Sequence, residues 1–173
     1  KNKTKYIHLQ NKNNKTFTII ININIGSKHE SKTQAGISHF IEHLFFGDTE
    51  KINTVEQILD KYGMEYNAFT NVENTRFYIT CLNQYATIAI HIMFSMLYQN
   101  LFKDDIIERE RQIVLQEYYR YTDDTDFILE TALCNKLFKN GPLDSNVIGN
   151  IKTLQTINRN NIINYIKKYY RSD

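Results

Sequence analysis

The sequence predicts an α+β domain in which helices cover one antiparallel sheet. Residues 16–25 show the alternation of a strand, and two further strand-like runs, 65–71 and 76–83, follow each other closely. From residue 85 onward, the main apolar patterns have the spacing of helices. Neighbouring strands with runs of helices on either side favour an antiparallel sheet packed against helices. With 173 residues, the chain is long enough for one domain, 1–173, with a hydrophobic core.

The first strand is the clearest strand signal in the chain. Its apolar side chains recur at every second position, namely Phe17, Ile19, Ile21, Ile23 and Ile25. A period of two predicts a strand that is buried on one face, and Gly26 ends it. The Lys- and Asn-rich residues before it predict a polar lead-in or a short strand at residues 6–9.

Six helices complete the predicted element order β-α-α-β-β-α-α-α-α. They span residues 35 or 36 to 46, 55–62, 85–99, 104–121, 126–137 and 158–170, with a short helical turn or loop at 153–156. Gly47-Asp48 is expected to close the first helix, and Asn53 or Thr54 to cap the second. Asp104 is expected to cap the fourth helix.

The third helix, 85–99, is strongly apolar and is predicted to be buried. It carries His91, which we interpret as a core or partly exposed histidine because it stands alone on that helix.

The first predicted helix contains the run His39-Phe40-Ile41-Glu42-His43. Residues four apart lie on one face of a helix, so His39 and His43 can both bind one zinc ion at roughly 2.0–2.1 Å. Glu42 lies close to that face, where a carboxylate can hold a metal-bound water and take its proton. This is the H-x-x-E-H order, the inverse of the commoner H-E-x-x-H zinc-protease signature. The run therefore predicts the zinc site of a metallopeptidase.

A catalytic zinc ion usually has a third protein ligand. Glu110 and Glu117 lie on one predicted helix, seven residues apart, so they point the same way but are separated by roughly 10 Å along the axis. Only one of them can bind the metal directly, and spacing alone does not choose between them. The neighbouring residues 108–111 are all charged and are typical of a solvated helix face.

The motif Gly36-x-x-His39-Phe40-Ile41-Glu42-His43, followed by the run from Glu110 to Glu117, resembles the pitrilysin family of inverzincin metallopeptidases. That family includes the insulin-degrading enzymes and the mitochondrial processing peptidases. The resemblance implies that Glu117 is the third zinc ligand and that Glu110 is a supporting carboxylate near the metal. It also implies the LuxS/metallopeptidase-like half-domain of this family.

A second motif extends the resemblance. The run Asn67-Ala68-Phe69-Thr70 looks like the family's "N-A-x-T" edge strand, which implies that Asn67, Ala68, Phe69 and Thr70 bind an extended peptide. Matches at 141–143, 148–149 and 165–171 carry the resemblance over nearly the whole chain. Family members often have "F-K-G-T" where this chain has Phe46-Gly47-Asp48-Thr49, a departure that concerns the local loop and not the ligands.

The family active site is built from two homologous halves that face each other. We therefore expect this chain to be the zinc-binding part of a larger enzyme. Its expected partners are a peptide substrate and a second homologous half, on the same polypeptide or on another subunit. The expected activity is zinc-dependent cleavage of extended peptides or presequences. The alternative is a non-catalytic structural or assembly subunit. Such a subunit would be expected to have lost one of the zinc ligands or the glutamate of the motif, and all of these residues are present here.

Composition excludes several other classes. The net charge is only +2, and there is no basic stripe of the kind that nucleic acid requires. No apolar run has membrane length, and no signal-peptide pattern is present, so we expect no membrane partner. The two cysteines, Cys81 and Cys134, are far apart and indicate free thiols in a reducing compartment. We expect an intracellular location, in the cytoplasm or the mitochondrial matrix.

Overall fold

The computed structural model describes residues 4–46, 55–98, 102–139, 141–144 and 146–171. The strands are β1 (Thr16–Ile23), β2 (Glu65–Thr70) and β3 (Thr75–Leu82). The α-helices are α1 (Ile37–Phe46), α2 (Val55–Lys61), α3 (Ala86–Tyr98), α4 (Asp104–Thr122), α5 (Thr125–Leu137), α6 (Ile151–Thr156) and α7 (Arg159–Tyr169). The predicted α+β class is confirmed, and the order differs from the prediction by one helix, α6, which was expected as a turn or loop.

The three described strands form one antiparallel sheet in the order β1-β3-β2. Ile19 of β1 lies opposite Ile79 of β3, and Ala68 of β2 lies opposite Phe77 of β3. The hairpin between β2 and β3 turns at Asn71, whose side-chain oxygen accepts the backbone N–H groups of Glu73 and Asn74 at 2.8 Å each. Within the described residues, β2 has β3 on one side only and is therefore an edge strand.

The core lies between the sheet and the helices that cover it. Phe40 and Ile41 of α1, Phe77 and Ile79 of β3 and Met93 of α3 are all fully buried. Burying a side chain of this size contributes about 1.5–3 kcal/mol relative to leaving it exposed. This packing fixes α1, the helix with the H-x-x-E-H motif, against the sheet.

Helix α4 is held against α1 and α6 by Arg111. The guanidinium donates hydrogen bonds to the carbonyl oxygens of Leu154 and, at 2.7 Å, of Ile157, where α6 ends. Its carbon atom also lies 5.6 Å from the ring centre of Phe40. Arg111 therefore caps α6 with a positive charge, as a helix C-terminus favours. The expectation that residues 108–111 form an ordinary solvated face is wrong for Arg111 and for Glu110, which is 5% exposed.

Several local expectations need correction. Residues 6–9 form no strand, and the expectation that α3 is buried holds for one face only, since Phe94 is 46% exposed. Lys103 occupies the N-cap position of α4, so Asp104 is its first helical residue and not its cap. The expected caps at Asn53 or Thr54 and the closing Gly47-Asp48 lie outside the described residues. No α-helix in the described ranges has the length and hydropathy that crossing a membrane requires.

Candidate metal centre

The start of α1 is fixed by close backbone packing. Gly36 and Gly149 both have positive φ, +90° and +80°, and face each other. A Cβ atom at Gly36 would lie 2.5 Å from the Ile148 carbonyl oxygen, and one at Gly149 would lie 2.4 Å from the Ala35 carbonyl oxygen. Only glycine fits at two positions that combine this conformation with such close approach. The loop before α6 is thereby locked to the helix that carries the histidines.

Glu30 caps the same helix end. Its carboxylate accepts the backbone N–H groups of Gly36 at 2.7 Å and Ser38 at 2.8 Å, which are otherwise unpaired donors of the first turn. Burial raises the pKa of Glu30 to about 7, although these hydrogen bonds oppose the shift. Sequence reasoning missed this residue because it caps from six to eight positions away, which matches no local capping pattern.

His39, His43 and Glu117 converge on one point. One candidate ligand atom from each residue lies within 4.8 Å of the others. Glu117 Oε2 lies 3.2 Å from His43 Nε2 and 3.7 Å from His39 Nε2. Ligand atoms bound tetrahedrally at 2.0–2.1 Å from one zinc ion would be separated by roughly 3.3 Å. Two imidazole nitrogens and one carboxylate oxygen, at these separations, fit a catalytic zinc site with one open position.

The protonation states of the histidines also fit a cation site. Burial, together with the charge of the nearby His43, lowers the pKa of His39 to about 4, so the ring is neutral and has a nitrogen lone pair. Burial also lowers the pKa of His43, but the neighbouring Glu110 and Glu117 carboxylates outweigh it and raise the pKa to about 9. His43 in turn holds the pKa of Glu117 below its usual value. The centre therefore attracts one positive charge, which a proton or a metal ion can supply.

Glu42 lies beside this centre without being one of the three converging groups. Its Oε2 accepts a hydrogen bond of 2.7 Å from the hydroxyl of Thr70. Burial raises the pKa of Glu42, and the Thr70 hydrogen bond opposes that shift. Thr70, expected to bind substrate, thus has a direct contact to the expected base. Both roles stay predictions.

Glu110 lies behind His43. Its Oε2 is 3.8 Å from His43 Nδ1, an electrostatic contact and longer than a hydrogen bond. Its other oxygen accepts from Arg109 at 3.3 Å, and the residue is 5% exposed. The spacing in the sequence did not choose between Glu110 and Glu117 as the third group. In the structure Glu117 lies at the point shared with both histidines, and Glu110 lies on the far side of the His43 ring.

A cleft of about 520 Å³ opens at the metal centre. His39, Glu42 and Glu117 form part of its wall. Most of the rest comes from β2, from the inner face of α5 and from the loop before α6; it includes Ala68, Phe69, Thr70, Phe127, Thr131, Cys134, Leu143 and Asn146. The α5 residues follow a helical i, i+4, i+7 spacing, which was the available sequence signal for this wall. Sequence reasoning did not use it because nothing in the sequence places α5 beside the histidines.

The outer edge of β2 also faces this region. Because Asn71 N–H donates to the Asn74 carbonyl at 2.9 Å, the alternation of an antiparallel ladder turns the backbone groups of Tyr66, Ala68 and Thr70 away from β3. The N–H of Ala68 is bonded to the side-chain oxygen of Asn67 at 2.8 Å. Asn67 therefore covers its own strand edge, and its predicted contact with substrate stays a prediction.

The fold and the donor set define a class: an α+β domain with an inverted H-x-x-E-H helix and a glutamate on a second helix is a metallopeptidase-type domain. The family follows from comparison with known proteins. Residues 6–150 match the family model described as Insulinase (Peptidase family M16), and the chain belongs to this peptidase family. The resemblance to the pitrilysin family is thereby confirmed.

Three relatives illustrate the range of the family. The chain is 31% identical over 152 residues to a zinc protease of Rickettsia bellii, covering 86% of this chain and 37% of the relative. It is 31% identical over 153 residues to the zinc protease YmxG of Bacillus subtilis, covering 87% and 37%. It is 30% identical over 163 residues to the mitochondrial-processing peptidase subunit beta of Saccharomyces cerevisiae, covering 93% and 35%. The chain therefore spans a little over a third of the length of these relatives.

The fold is also found in a solved structure, a protease from Helicobacter pylori. The TM-score is 0.85 with 22% sequence identity, over 91% of this chain and 39% of that chain. This likeness shows that the two proteins share the fold.

Proposed function

We propose that this chain is the zinc-binding part of a zinc-dependent endopeptidase that hydrolyses extended peptides. The observation that carries the proposal is the convergence of His39, His43 and Glu117 on one point, with Glu42 beside it. The two bacterial relatives are named zinc proteases, and these names support the same metal and the same class of reaction.

His39, His43 and Glu117 are the residues that would hold the metal. A zinc ion in this position supplies a bound water of lowered pKa, toward ~7, and a Lewis acid for the scissile carbonyl. Glu42 removes a proton from the attacking water and later delivers it to the leaving amine. Thr70 orients the Glu42 carboxylate through its hydrogen bond of 2.7 Å. The partly desolvated carboxylate, with its raised pKa, is a stronger base than an exposed glutamate.

The substrate lies along β2. Its main chain pairs with the outward-facing backbone groups of Ala68 and Thr70, which adds one strand to the sheet. Asn67 exchanges its hydrogen bond with Ala68 for one to the peptide backbone, and Phe69, 39% exposed, contributes an apolar surface. Only an extended or unfolded peptide can bind in this way, because a folded protein does not present a free strand.

The complete enzyme contains a second homologous half, on the same polypeptide or on a partner subunit. The relatives support this, because the region matched by this chain is only 37% of the length of the two bacterial proteins. We place the enzyme inside the cell, in the cytoplasm or the mitochondrial matrix. Processing of leader peptides and general degradation differ only in the peptides supplied to this site.

Substitution Glu42→Gln tests the mechanism. The variant should bind zinc as the parent does and lose peptide hydrolysis, because an amide accepts no proton from water. The full-length protein is assayed with a fluorogenic peptide, and its zinc content is measured by atomic absorption. His39→Ala is the matched control, expected to lose both zinc and activity. A Glu42→Gln variant that keeps the parent rate would contradict the role of general base.

Metal content separates this proposal from the non-catalytic alternative. A structural subunit has no need of a bound metal, so a parent protein that neither contains zinc nor takes it up would favour the alternative.

A further inference from the structure

The cleft wall contains a hydrogen-bond acceptor that has no partner. The side-chain oxygen Oδ1 of Asn146 is out of contact with solvent and accepts no hydrogen bond from any described residue. Asn146 lines the same cleft as His39, Glu42 and Glu117. It belongs to the loop between α5 and α6. This loop contains no residue of the H-x-x-E-H motif and none of the three converging groups.

Most buried polar groups form a hydrogen bond with a partner. A buried polar group without a hydrogen bond lowers the stability of the fold. Besides Asn146, three side chains in the described part of the chain have an atom in this state: Ser27, His39 and Tyr170. Ser27 and Tyr170 do not line the cleft, and His39 belongs to the metal centre. Asn146 is therefore the unpaired cleft group that the proposed metal chemistry leaves unexplained.

The loop holds Asn146 in place. The Asn146 carbonyl accepts the N–H of Gly149 at 3.3 Å, and Gly149 packs directly on Ala35 and Gly36 at the start of α1. The hydroxyl of Thr153 donates to the Ala35 carbonyl at 2.7 Å and fixes α6 to the same point. The backbone of Asn146 is thus anchored to the start of the helix that carries both histidines.

We propose that Asn146 is a substrate-binding residue whose carboxamide oxygen accepts a main-chain N–H of the extended peptide in the cleft. The inference rests on the proposed peptidase function and deepens it. A peptide paired with β2 directs alternate N–H groups toward the strand and away from it. The groups that point away have no partner on β2. When the Asn146 side chain turns its buried oxygen toward the cleft, it supplies one, so the peptide is held by contacts beyond the strand edge.

The substitution Asn146→Leu separates this role from a structural one. Leucine has nearly the same shape but no acceptor, so it removes the unpaired polar atom. We expect the melting temperature to stay equal to that of the parent or to rise, and zinc affinity to be unchanged. The affinity for peptide should fall about fivefold to tenfold, as expected for one hydrogen bond. The probe is a dye-labelled unstructured peptide of about eight residues, the length of an ordinary strand.

Peptide binding is measured by fluorescence anisotropy on the zinc-loaded, full-length Glu42→Gln protein, in which the peptide stays intact. Asn150→Leu is the matched control, because the side chain of Asn150 caps α6 by accepting Thr153 N–H at 3.1 Å. It should lower the melting temperature and leave peptide affinity unchanged. Asn146→Ala, which removes the same acceptor, should weaken peptide binding in the same direction.

Three results would overturn the inference. A lower melting temperature for Asn146→Leu would mean that the oxygen has a partner within the fold. Unchanged peptide affinity in both Asn146 variants would mean that the bound peptide makes no hydrogen bond to this oxygen. If the Glu42→Gln parent binds no peptide at all, the proposed function fails, and the inference about Asn146 fails with it. The first two results leave the proposed function intact.

Discussion

Helices α1 and α5 both line the cleft, but they are held in very different ways. In α1, Ile37, Phe40 and Ile41 are fully buried, and its first turn is capped by Glu30. In α5 no residue is fully buried; Leu129 is 67% exposed and Leu133 54% exposed. Helix α5 packs mainly along α4, where the rings of Tyr121 and Phe127 lie 5.1 Å apart.

The difference follows from what each helix contributes to the site. Two of the three proposed ligands are on α1, and metal binding needs ligand atoms held to within about 0.5 Å. The fold supplies that precision through core packing and backbone contacts. Helix α5 contributes only wall surface to the cleft, which tolerates small displacements. The stability of the chain should therefore be concentrated around α1 and should be low at α5.

The largest expected effect tests this contrast directly. Phe40→Ala removes a fully buried ring and should lower the free energy of unfolding by about 3–5 kcal/mol. Leu133→Ala, on the exposed side of α5, should change it by less than about 0.5 kcal/mol. Urea unfolding followed by circular dichroism measures both values. Equal losses at the two positions would break the comparison and would mean that α5 contributes as much to the core as α1.

The contrast also explains how far the sequence could predict the molecule. Helix α1 was located to within two residues because Ile37, Phe40, Ile41 and Leu44 give it an apolar face, and the histidines mark its other side. Strand β1 was recognisable from its period of two. These signals are local, since each depends on residues within one element.

Features that depend on contacts between distant segments could not be predicted. Glu30 caps a helix from six to eight residues away, and Arg111 bonds carbonyl groups 43 and 46 residues further along the chain. The choice between Glu110 and Glu117 required either the family resemblance or the angle at which α4 crosses α1. Asn146 escaped notice for the same reason, because only the packing of Gly149 on Ala35 brings its loop to the cleft.

Zinc should act on the two helices unequally. The proposed ligands join α1 to α4, so binding stabilises the folded state by about 2.7 kcal/mol when free zinc is 100 times its dissociation constant. Thermal unfolding with and without zinc measures this gain, and Glu117→Ala should abolish it. Hydrogen exchange should show slower exchange for amides of α1 and α4 than for those of α5. Uniform protection that includes α5 would contradict the separate behaviour of the two helices.

The smallest expected effect concerns the cap of α1. The folded-state pKa of Glu30 is raised from 4.5 to about 7, so the folded protein binds an extra proton between these pH values. Its contribution to stability is therefore complete below about pH 4.5 and is lost as the pH rises through about 7. A shift of this size corresponds to at most about 3 kcal/mol, and because Glu30 is only partly buried we expect about 1–2 kcal/mol.

Glu30→Gln isolates that contribution, because glutamine fits the same space and cannot ionise. The free energy of unfolding of the variant should fall less than that of the parent between about pH 4.5 and pH 7, and the two curves should run parallel above pH 8. Taking the difference between the two proteins cancels the titration of the histidine centre, which both contain. Parallel curves over the whole range would show that the hydrogen bonds from Gly36 and Ser38, together with the positive end of the helix dipole, balance the cost of burying the charge. In that case the cap would stabilise α1 equally at every pH, and its contrast with the weakly held α5 would not depend on Glu30 titrating.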